Sequence, residues 1–139
     1  MNLRSSGILM HLTSLPGLFG IGDMGPQAYR FADFLAQTHQ RYWQILPLTP
    51  IDPDHNGSPY HSPSAFAGNP LLISPERLVQ DGLLDAADLA AVPDLPADRV
   101  DFSAVSALKE KLLERAYDRF KARGRDAEYE RFCRRHTGW

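Results

Sequence analysis

GILMHL at residues 7–12 is a short, mostly apolar run that ends at TSLPG, residues 13–17. A run of this kind, bounded by Pro and Gly, is typical of a strand buried on both faces. Residues 41–48 read RYWQILPL, a second run of aromatic and branched side chains that ends at prolines. We therefore predict a second buried strand there.

The residues between these two runs predict an amphipathic helix. Pro26 stands where the first residue of a helix often stands, and the apolar residues that follow it recur at helical spacing: Ala28, Phe31, Ala32 and Leu35. We expect a helix over residues 26–38. A strand, a helix and a strand form a βαβ unit with parallel strands, so the predicted fold class is α/β.

The second half of the chain, residues 76–139, is predicted to be mainly helical. Short helical pieces are broken at Gly82, and a longer helix begins past Asp101 or Ser103 and ends at Gly124. The longer helix carries an apolar stripe of Val105, Leu108, Leu112, Ala116 and Phe120. A short last helix carries, on one side, Tyr129, Phe132, Cys133 and His136.

Composition limits the chain to one modest core. Its 139 residues are 43% hydrophobic and 23% charged, which excludes the disordered, collagen-like and membrane classes. The apolar run at residues 8–12 is too short for a signal sequence or a spanning helix. Cys133 is the single cysteine, so the sequence offers no disulfide and no paired-cysteine metal site. We expect a soluble, cytoplasmic protein.

Ten of the fifteen Lys and Arg residues lie between positions 109 and 135. A basic stretch is compatible with nucleic-acid binding. However, Glu110, Glu114 and Asp118 are interleaved with the bases at helical spacing, which favours a solvated helix face. We therefore expect neither a nucleic-acid partner nor a membrane partner.

Residues 47–75 hold seven of the eleven prolines and keep no regular period. Loops of this length inside a compact domain usually carry function or are disordered, and the aromatic and apolar content of SPYHSPSAFAGNPLLI argues against disorder. Tyr60 presents a ring beside several hydroxyls on a stretch that two prolines stiffen, which suits a sugar. A structural tyrosine whose hydroxyl bonds the loop backbone fits these residues equally well.

Residues 20–25 read GIGDMG, a literal G-x-G-x-x-G that could bind the pyrophosphate of a dinucleotide. Residues 13–19 separate its first glycine from the strand, and the second strand ends in Leu-Pro-Leu instead of an acid. This context disfavours a nucleotide-dependent oxidoreductase. The sequence has no P-loop and no zinc spacing, and its histidines are scattered, so we expect no metal.

Asp23, Asp52 and Asp54 lie on loops after the predicted strands, where parallel-barrel enzymes place their working groups. Loop acids are more often solvated or cap a helix. Spacing alone pairs no two of these carboxylates, so no catalytic pair follows from it.

Three stretches, in order, resemble the amylomaltase type of 4-alpha-glucanotransferase, glycoside hydrolase family 77. They are SSGILMHLTSLPGLFGIGDMGPQAYRFADFLAQ from Ser5, RYWQILPLTP from Arg41 and NGSPYHSPSAFAGNPLLIS from Asn56. Their glycines and prolines fall in the family's places, and the motifs are far longer than a chance match. The resemblance covers most of the chain and is weakest from Asp81 to Lys121.

The resemblance implies a (β/α)8 TIM barrel with helical insertions, of which this chain holds the opening part, incomplete by itself. Residues 1–75 would be the first βαβ unit with its sugar-binding loop, and residues 76–139 a mainly helical insertion. In the family, the tyrosine of the SPY motif lies against the sugar next to the cleaved bond, and the serine two positions earlier lies in the same groove. The implied substrate-binding residues are Tyr60 and Ser58.

The implied activity transfers segments of α-1,4-glucans or maltooligosaccharides to glucose or glucan acceptors by a retaining mechanism, without a cofactor. The family's catalytic carboxylates come from later barrel strands, so no catalytic residue maps onto residues 1–139. We expect the chain alone to be inactive and to need the missing C-terminal part of the barrel. Residues 52–57 lack the aromatic side chain that many members carry at a second glucan site.

The alternative function is a non-catalytic glucan-binding or interaction module. In that case the chain would hold a sugar-contact loop without the catalytic machinery, and it would have to fold on its own. A monomeric protein of 139 residues that melts cooperatively and binds maltooligosaccharides would favour this alternative.

Overall fold

The computed structural model describes residues 4–52, 57–124 and 126–138. The strands and helices, in chain order, are β1 (Gly7–Leu9), α1 (Pro26–Gln37), β2 (Tyr42–Gln44), α2 (Pro75–Gln80), α3 (Ala86–Ala90), α4 (Phe102–Arg123) and α5 (Ala127–Arg135). Short 3-10 helices lie at Leu12–Ser14 and Pro70–Leu72. The chain is therefore mixed α/β with a large helical share. Within the described ranges, no helix combines the length and the apolar content needed to cross a bilayer.

The two strands pair in parallel, as the βαβ prediction requires. Gly7 lies opposite Tyr42, and Leu9 lies opposite Gln44. The pairing continues past β1, because Met10 N donates to Gln44 O at 3.0 Å. Trp43 adds a side-chain bond, since its Nε1 donates to Met10 O at 2.7 Å. The parallel arrangement brings the carboxyl ends of both strands to one edge of the sheet.

Both strands are shorter and more exposed than predicted. The first was expected to run to Leu12 and to be buried on both faces, yet β1 ends at Leu9, whose side chain is 59% exposed. The second was expected over residues 41–48, yet β2 holds three residues, and Tyr42 is 63% exposed. The reason is that the described residues form a two-stranded sheet. A parallel strand is buried on both faces only where other elements cover it.

Helix α1 matches its prediction to within one residue. Pro26 occupies its first turn after Gly25, and the helix ends at Gln37. Its inner face packs on the sheet, where the Phe31 ring lies edge-on against the Trp43 ring with centroids 4.9 Å apart. Such edge-to-face pairs stabilise a fold beyond the area they bury. The helix therefore covers one face of the β1–β2 pair.

Helix α4 begins and ends where the sequence predicts. Asp101 Oδ1 accepts from Ala104 N at 3.0 Å, which caps the first turn, and Gly124 follows the last residue. The predicted stripe is confirmed, because Val105, Leu112 and Ala116 are buried. The stripe also contains one charged residue, since Lys109 lies on it and is fully buried. The prediction that the basic stretch forms a solvated helix face is therefore wrong for Lys109.

An arginine joins α3 to α4. Arg119 Nη1 donates to Asp88 at 2.6 Å, and Arg119 Nη2 donates to Asp85 at 2.9 Å. The two acids also cap α3, because Asp88 N donates to Asp85 Oδ1 at 3.0 Å and the Asp88 carboxylate accepts from Asp85 N. The backbone hydrogen bond, followed by the Arg119 contacts, holds the pKa of Asp88 below its usual value. Both carboxylates thus serve the packing of the two helices.

Apolar packing unites the βαβ unit with the later helices. One cluster, beneath α1, contains Leu12, Leu15, Ala28 and Leu72. A second joins the loop before α1 to the helices and contains Phe19, Leu84, Leu112 and Ala116. A third lies between the same loop and α4 and contains Ile21, Leu71 and Val105. Phe19 and Ile21, in the loop before α1, therefore pack against α4.

The G-x-G-x-x-G segment is a tight packing turn in this structure. A Cβ at Gly22 would overlap the carbonyl oxygen of Leu12 and lie 2.6 Å from that of Leu15. Gly25 precedes the first residue of α1. The close approach of two backbone segments explains why Gly22 is a glycine, without a bound phosphate.

Replacing Gly22 by alanine should destabilise the fold by about 1–3 kcal/mol, because the added methyl group meets two carbonyl oxygens that belong to backbone. Urea unfolding measures the change. Gly68→Ala is the matched control, since no atom lies within 4 Å of a Cβ at that position. Equal losses for the two variants would contradict the packing explanation.

Candidate functional site

Within the predicted proline-rich loop, residues 47–75, the structure describes a continuous stretch over residues 57–69 that carries Ser58 and Tyr60. Asn69 N donates to Leu48 O at 2.9 Å, which holds the returning end beside the segment that follows β2. Asn69 Oδ1 then accepts from Leu71 N at 3.0 Å and starts the 3-10 helix at Pro70–Leu72. One backbone hydrogen bond therefore ties the returning end of the loop to the segment that follows β2.

Serine side chains hold the loop backbone in shape. Ser58 Oγ accepts from Tyr60 N at 3.4 Å, and Ser58 O accepts from His61 N at 3.2 Å. Ser64 Oγ accepts from Phe66 N at 3.2 Å and from Ala67 N at 3.1 Å. Short hydroxyl side chains favour such local turns. The shape of the loop is thus encoded largely within the loop itself.

Two aromatic rings project from this loop. Tyr60 is 72% exposed and Phe66 is 75% exposed. A large exposed ring on a braced loop offers a flat apolar surface, and the Tyr60 hydroxyl adds a polar group at its edge. The structure brings Ser58 and Tyr60 together through a hydrogen bond to the Tyr60 backbone. The sequence argument singled out Tyr60 but not the Phe66 ring, whose exposure no local pattern indicates.

Of the loop acids, Asp23 is neither solvated nor a cap. Its carboxylate is buried, and Oδ2 accepts from Lys109 Nζ at 2.7 Å. The same ammonium donates to Ile73 O at 2.7 Å. Burial lowers the pKa of Lys109, and the Asp23 carboxylate opposes that shift. Asp52 is half-buried, and Asp54 lies outside the described residues. Asp23 is thus committed to an ion pair with α4.

His11 is a second buried polar group at the carboxyl edge of the sheet. It follows β1 by two residues, and its Nδ1 accepts from Leu46 N at 3.3 Å. This bond links the segments that leave β1 and β2. Burial lowers the pKa of His11 below its ordinary value of 6.5. Within the described ranges, no three His, Cys, Asp or Glu side chains come together as metal ligands would.

The sequence and structure comparisons identify the family. The family model described as 4-alpha-glucanotransferase, glycoside hydrolase family 77, matches residues 10–139. The chain belongs to this family. The 4-alpha-glucanotransferase of Streptococcus pneumoniae serotype 4 is 46% identical over 140 residues, which are 100% of this chain and 27% of that protein. The chloroplastic/amyloplastic 4-alpha-glucanotransferase of Solanum tuberosum is 48% identical over 118 residues, which are 84% of this chain and 20% of that protein.

A solved amylomaltase structure has the same fold over this region. Amylomaltase from Streptococcus agalactiae, solved in complex with acarbose, superposes with a TM-score of 0.86 at 37% sequence identity. The match covers 97% of this chain and 27% of that one. The chain therefore spans about a quarter of the length of the family members that it matches.

Breaking the buried ion pair should strongly destabilise the protein. Lys109→Met leaves the Asp23 carboxylate buried without its cation, which costs about 3–5 kcal/mol. Adding Asp23→Asn removes the stranded charge and should recover much of that loss. Urea unfolding of the single and the double variant measures the free energy of unfolding. Lys111 is exposed on the same helix, so Lys111→Met is the control, and its free energy of unfolding should change by less than about 0.5 kcal/mol. A single variant as stable as the double variant would contradict the pairing.

The buried imidazole should make stability fall in mild acid. Because the pKa of His11 is lowered in the folded state, the unfolded chain binds more protons below pH 6.5. Stability is then lost as pH falls from 6.5 through the lowered folded pKa. His11→Asn, which keeps an acceptor but does not titrate, should flatten this part of the profile of unfolding free energy against pH. His39→Asn, at an exposed site, is the matched control for replacing an imidazole by an amide.

Proposed function

We propose that this chain is the N-terminal part of a 4-alpha-glucanotransferase and that residues 57–69 form one wall of its α-1,4-glucan groove. The observation that carries the proposal is the Tyr60 ring, 72% exposed on a loop that its own serines brace, in a chain of this family. Tyr60 packs on the apolar face of a glucose unit. Ser58 holds the Tyr60 backbone and borders the same groove.

The proposed architecture is the opening of a (β/α)8 barrel. Residues 1–75 supply the first βαβ unit and the loop of residues 57–69, called the glucan loop from here on. Residues 76–139 form a mainly helical insertion. The parallel β1–β2 pair with α1 between its strands supports this assignment. The exposed outer side chains of β1 and β2 support it as well, because further barrel strands and helices would cover them. The remaining length found in the relatives completes the barrel.

The retaining reaction needs two carboxyl groups about 5–5.5 Å apart on either side of the scissile bond. Two acids that share a partner in this structure, Asp85 and Asp88, are held by Arg119 and by the α3 backbone. Asp23 is held by Lys109. These three carboxylates form ion pairs within the fold, which supports assigning them structural roles and placing the catalytic carboxyl groups elsewhere in the enzyme. This chain binds and orients the glucan, and the nucleophile and the acid/base group come from the rest of the enzyme.

The ligand of the S. agalactiae amylomaltase supports the substrate class. That protein was solved with acarbose, and this chain matches it over 97% of its residues. We infer that the substrates here are α-1,4-glucans and maltooligosaccharides, with a second glucan or glucose as acceptor. The chemistry of the loop fits such a ligand, since sugars require a ring for their C–H face and hydroxyl groups nearby.

Tyr60→Ala in the full-length enzyme should lower kcat/KM for maltooligosaccharide transfer. Losing about 50–100 Å² of ring contact costs about 1–2.5 kcal/mol, which is about a 5- to 70-fold loss. Glucose released during disproportionation of a maltooligosaccharide measures the rate. Tyr117→Ala is the matched control, because Tyr117 is an exposed tyrosine on α4 outside the loop. Unchanged transfer by Tyr60→Ala would refute the proposed site.

A further inference from the structure

One face of α4 lies beneath the base of the glucan loop. Phe102, Val105 and Lys109 are separated by three and four positions, so they share one side of the helix. Val105 and Lys109 have no exposed surface, and Phe102 is half-buried. Each of the three contacts a segment that enters or leaves the loop. The helix thus touches the loop at its two ends.

The first contact is between Phe102 and Gly57. Gly57 is buried and has a φ of 68°, and a Cβ at this position would overlap the Phe102 ring. The ring therefore lies directly against the backbone next to Ser58. Any side chain at position 57 would have to displace the ring and adopt a left-handed backbone conformation. This contact sets how the chain enters the segment that carries Tyr60.

The second contact is apolar and involves both flanks of the loop. Val105 packs with Leu71, just after the loop, and with Ile21 of the glycine-rich turn. Ile51, before the loop, and Phe102 pack against the same cluster. Interiors of this kind are close-packed and resist small displacements. The two ends of the loop are therefore held against one short stretch of α4.

The third contact is polar. Lys109 Nζ donates to Ile73 O and to Asp23 Oδ2, each at 2.7 Å. Because the Lys109 side chain is 1% exposed, its ammonium needs both acceptors, and their positions are fixed relative to α4. Ile73 follows the loop by four residues. The buried Lys109 ammonium thus fixes the backbone at Ile73, just after the loop.

The middle of the loop faces solvent and is braced by its own serines. Residues 60–63, 65, 66 and 68 are exposed, and the hydrogen bonds described above are local to the loop. Gly57, which lies against the Phe102 ring, is three positions before Tyr60, and the hydrogen bond from Tyr60 N to Ser58 Oγ joins the Tyr60 backbone to the residue next to Gly57. The position of the Tyr60 ring therefore depends on the helix beneath the loop.

We propose that α4 positions the glucan loop, with Phe102 and Lys109 as positioning residues for substrate binding. Neither side chain contacts the sugar. They act by fixing Gly57 and Ile73, the two backbone points between which the Tyr60 ring is presented. This role rests on the proposed function of the loop, and it makes the helical insertion part of the substrate-binding apparatus.

The test compares Phe102→Ala with Phe120→Ala in the full-length enzyme. Both changes truncate a half-buried phenylalanine of α4, but Phe120 packs against Tyr129 of α5, away from the loop. We expect Phe102→Ala to lower kcat/KM for maltooligosaccharide transfer about tenfold or more, because small misplacements of a binding group are costly. Phe120→Ala should lower it by less than about twofold. Phe102→Leu, which refills most of the space, should restore most of the activity.

Amide hydrogen exchange supplies a readout that general destabilisation does not produce. In Phe102→Ala, the amides of residues 58–67 should exchange faster, while in Phe120→Ala they should not. The difference should remain even if both variants show the same decrease in Tm. Gly57→Ala disturbs the same contact from the loop side and should show the same pattern. Gly124→Ala is its control, since Gly124 also has a positive φ, 82°, with no atom within 4 Å of a Cβ.

The outcomes separate this proposal from the proposed function. Equal losses of transfer for Phe102→Ala and Phe120→Ala, with unchanged exchange in the loop, would overturn the positioning role alone, provided that Tyr60→Ala still lowers transfer. If Phe102→Ala does not fold, the pair of Gly57→Ala and Gly124→Ala decides in the same way. Normal transfer by Tyr60→Ala would overturn the proposed function, and the positioning role with it.

Discussion

The arrangement of this chain depends on one buried charge. The ammonium of Lys109 lies where three segments meet: the glycine-rich turn with Asp23, the backbone at Ile73, and α4 itself. A cation removed from water must be given acceptors, so none of the three segments can shift without stranding it. A protein in which apolar side chains replace a buried ion pair is often as stable as the original protein. We therefore interpret the pair as fixing the relative position of these segments more than as adding stability.

The glycine-rich turn follows from the same constraint. For Asp23 to reach Lys109, the turn has to pass close beneath the chain that leaves β1, and Gly22 permits that approach to the Leu12 and Leu15 carbonyl groups. At Gly25, a Cβ would lie 2.6 Å from Asp23 Oδ1 and 2.5 Å from the hydroxyl of the buried Ser74. A motif that resembles a phosphate-binding turn is thus explained by packing around a carboxylate.

How far the sequence predicts this fold depends on whether the signal is local. Helices α1 and α4 were predicted within a residue or two because their apolar spacing and their first and last residues lie within the helix itself. The strands were predicted too long and too buried, since burial of Leu9 and Tyr42 depends on neighbours outside these residues. Lys109 was missed because its partner Asp23 is 86 positions away. Tyr60 was ambiguous from its own residues, and the family resemblance selected it as a sugar contact.

The loop of residues 57–69 is ordered by two sets of contacts. Its serines fix the local backbone, and α4 fixes the two ends, so the Tyr60 and Phe66 rings are held out in water before any ligand arrives. A preorganised ring loses little conformational freedom on binding, which leaves more of the contact energy for affinity. Exposed rings also cost solvation free energy in the absence of ligand, since apolar surface remains in water. Exposure alone does not mark a binding surface here, because Leu9 and Tyr42 are also exposed where further barrel elements would cover them. The reason to regard the loop as a binding surface is the exposed Tyr60 ring together with the family to which the chain belongs.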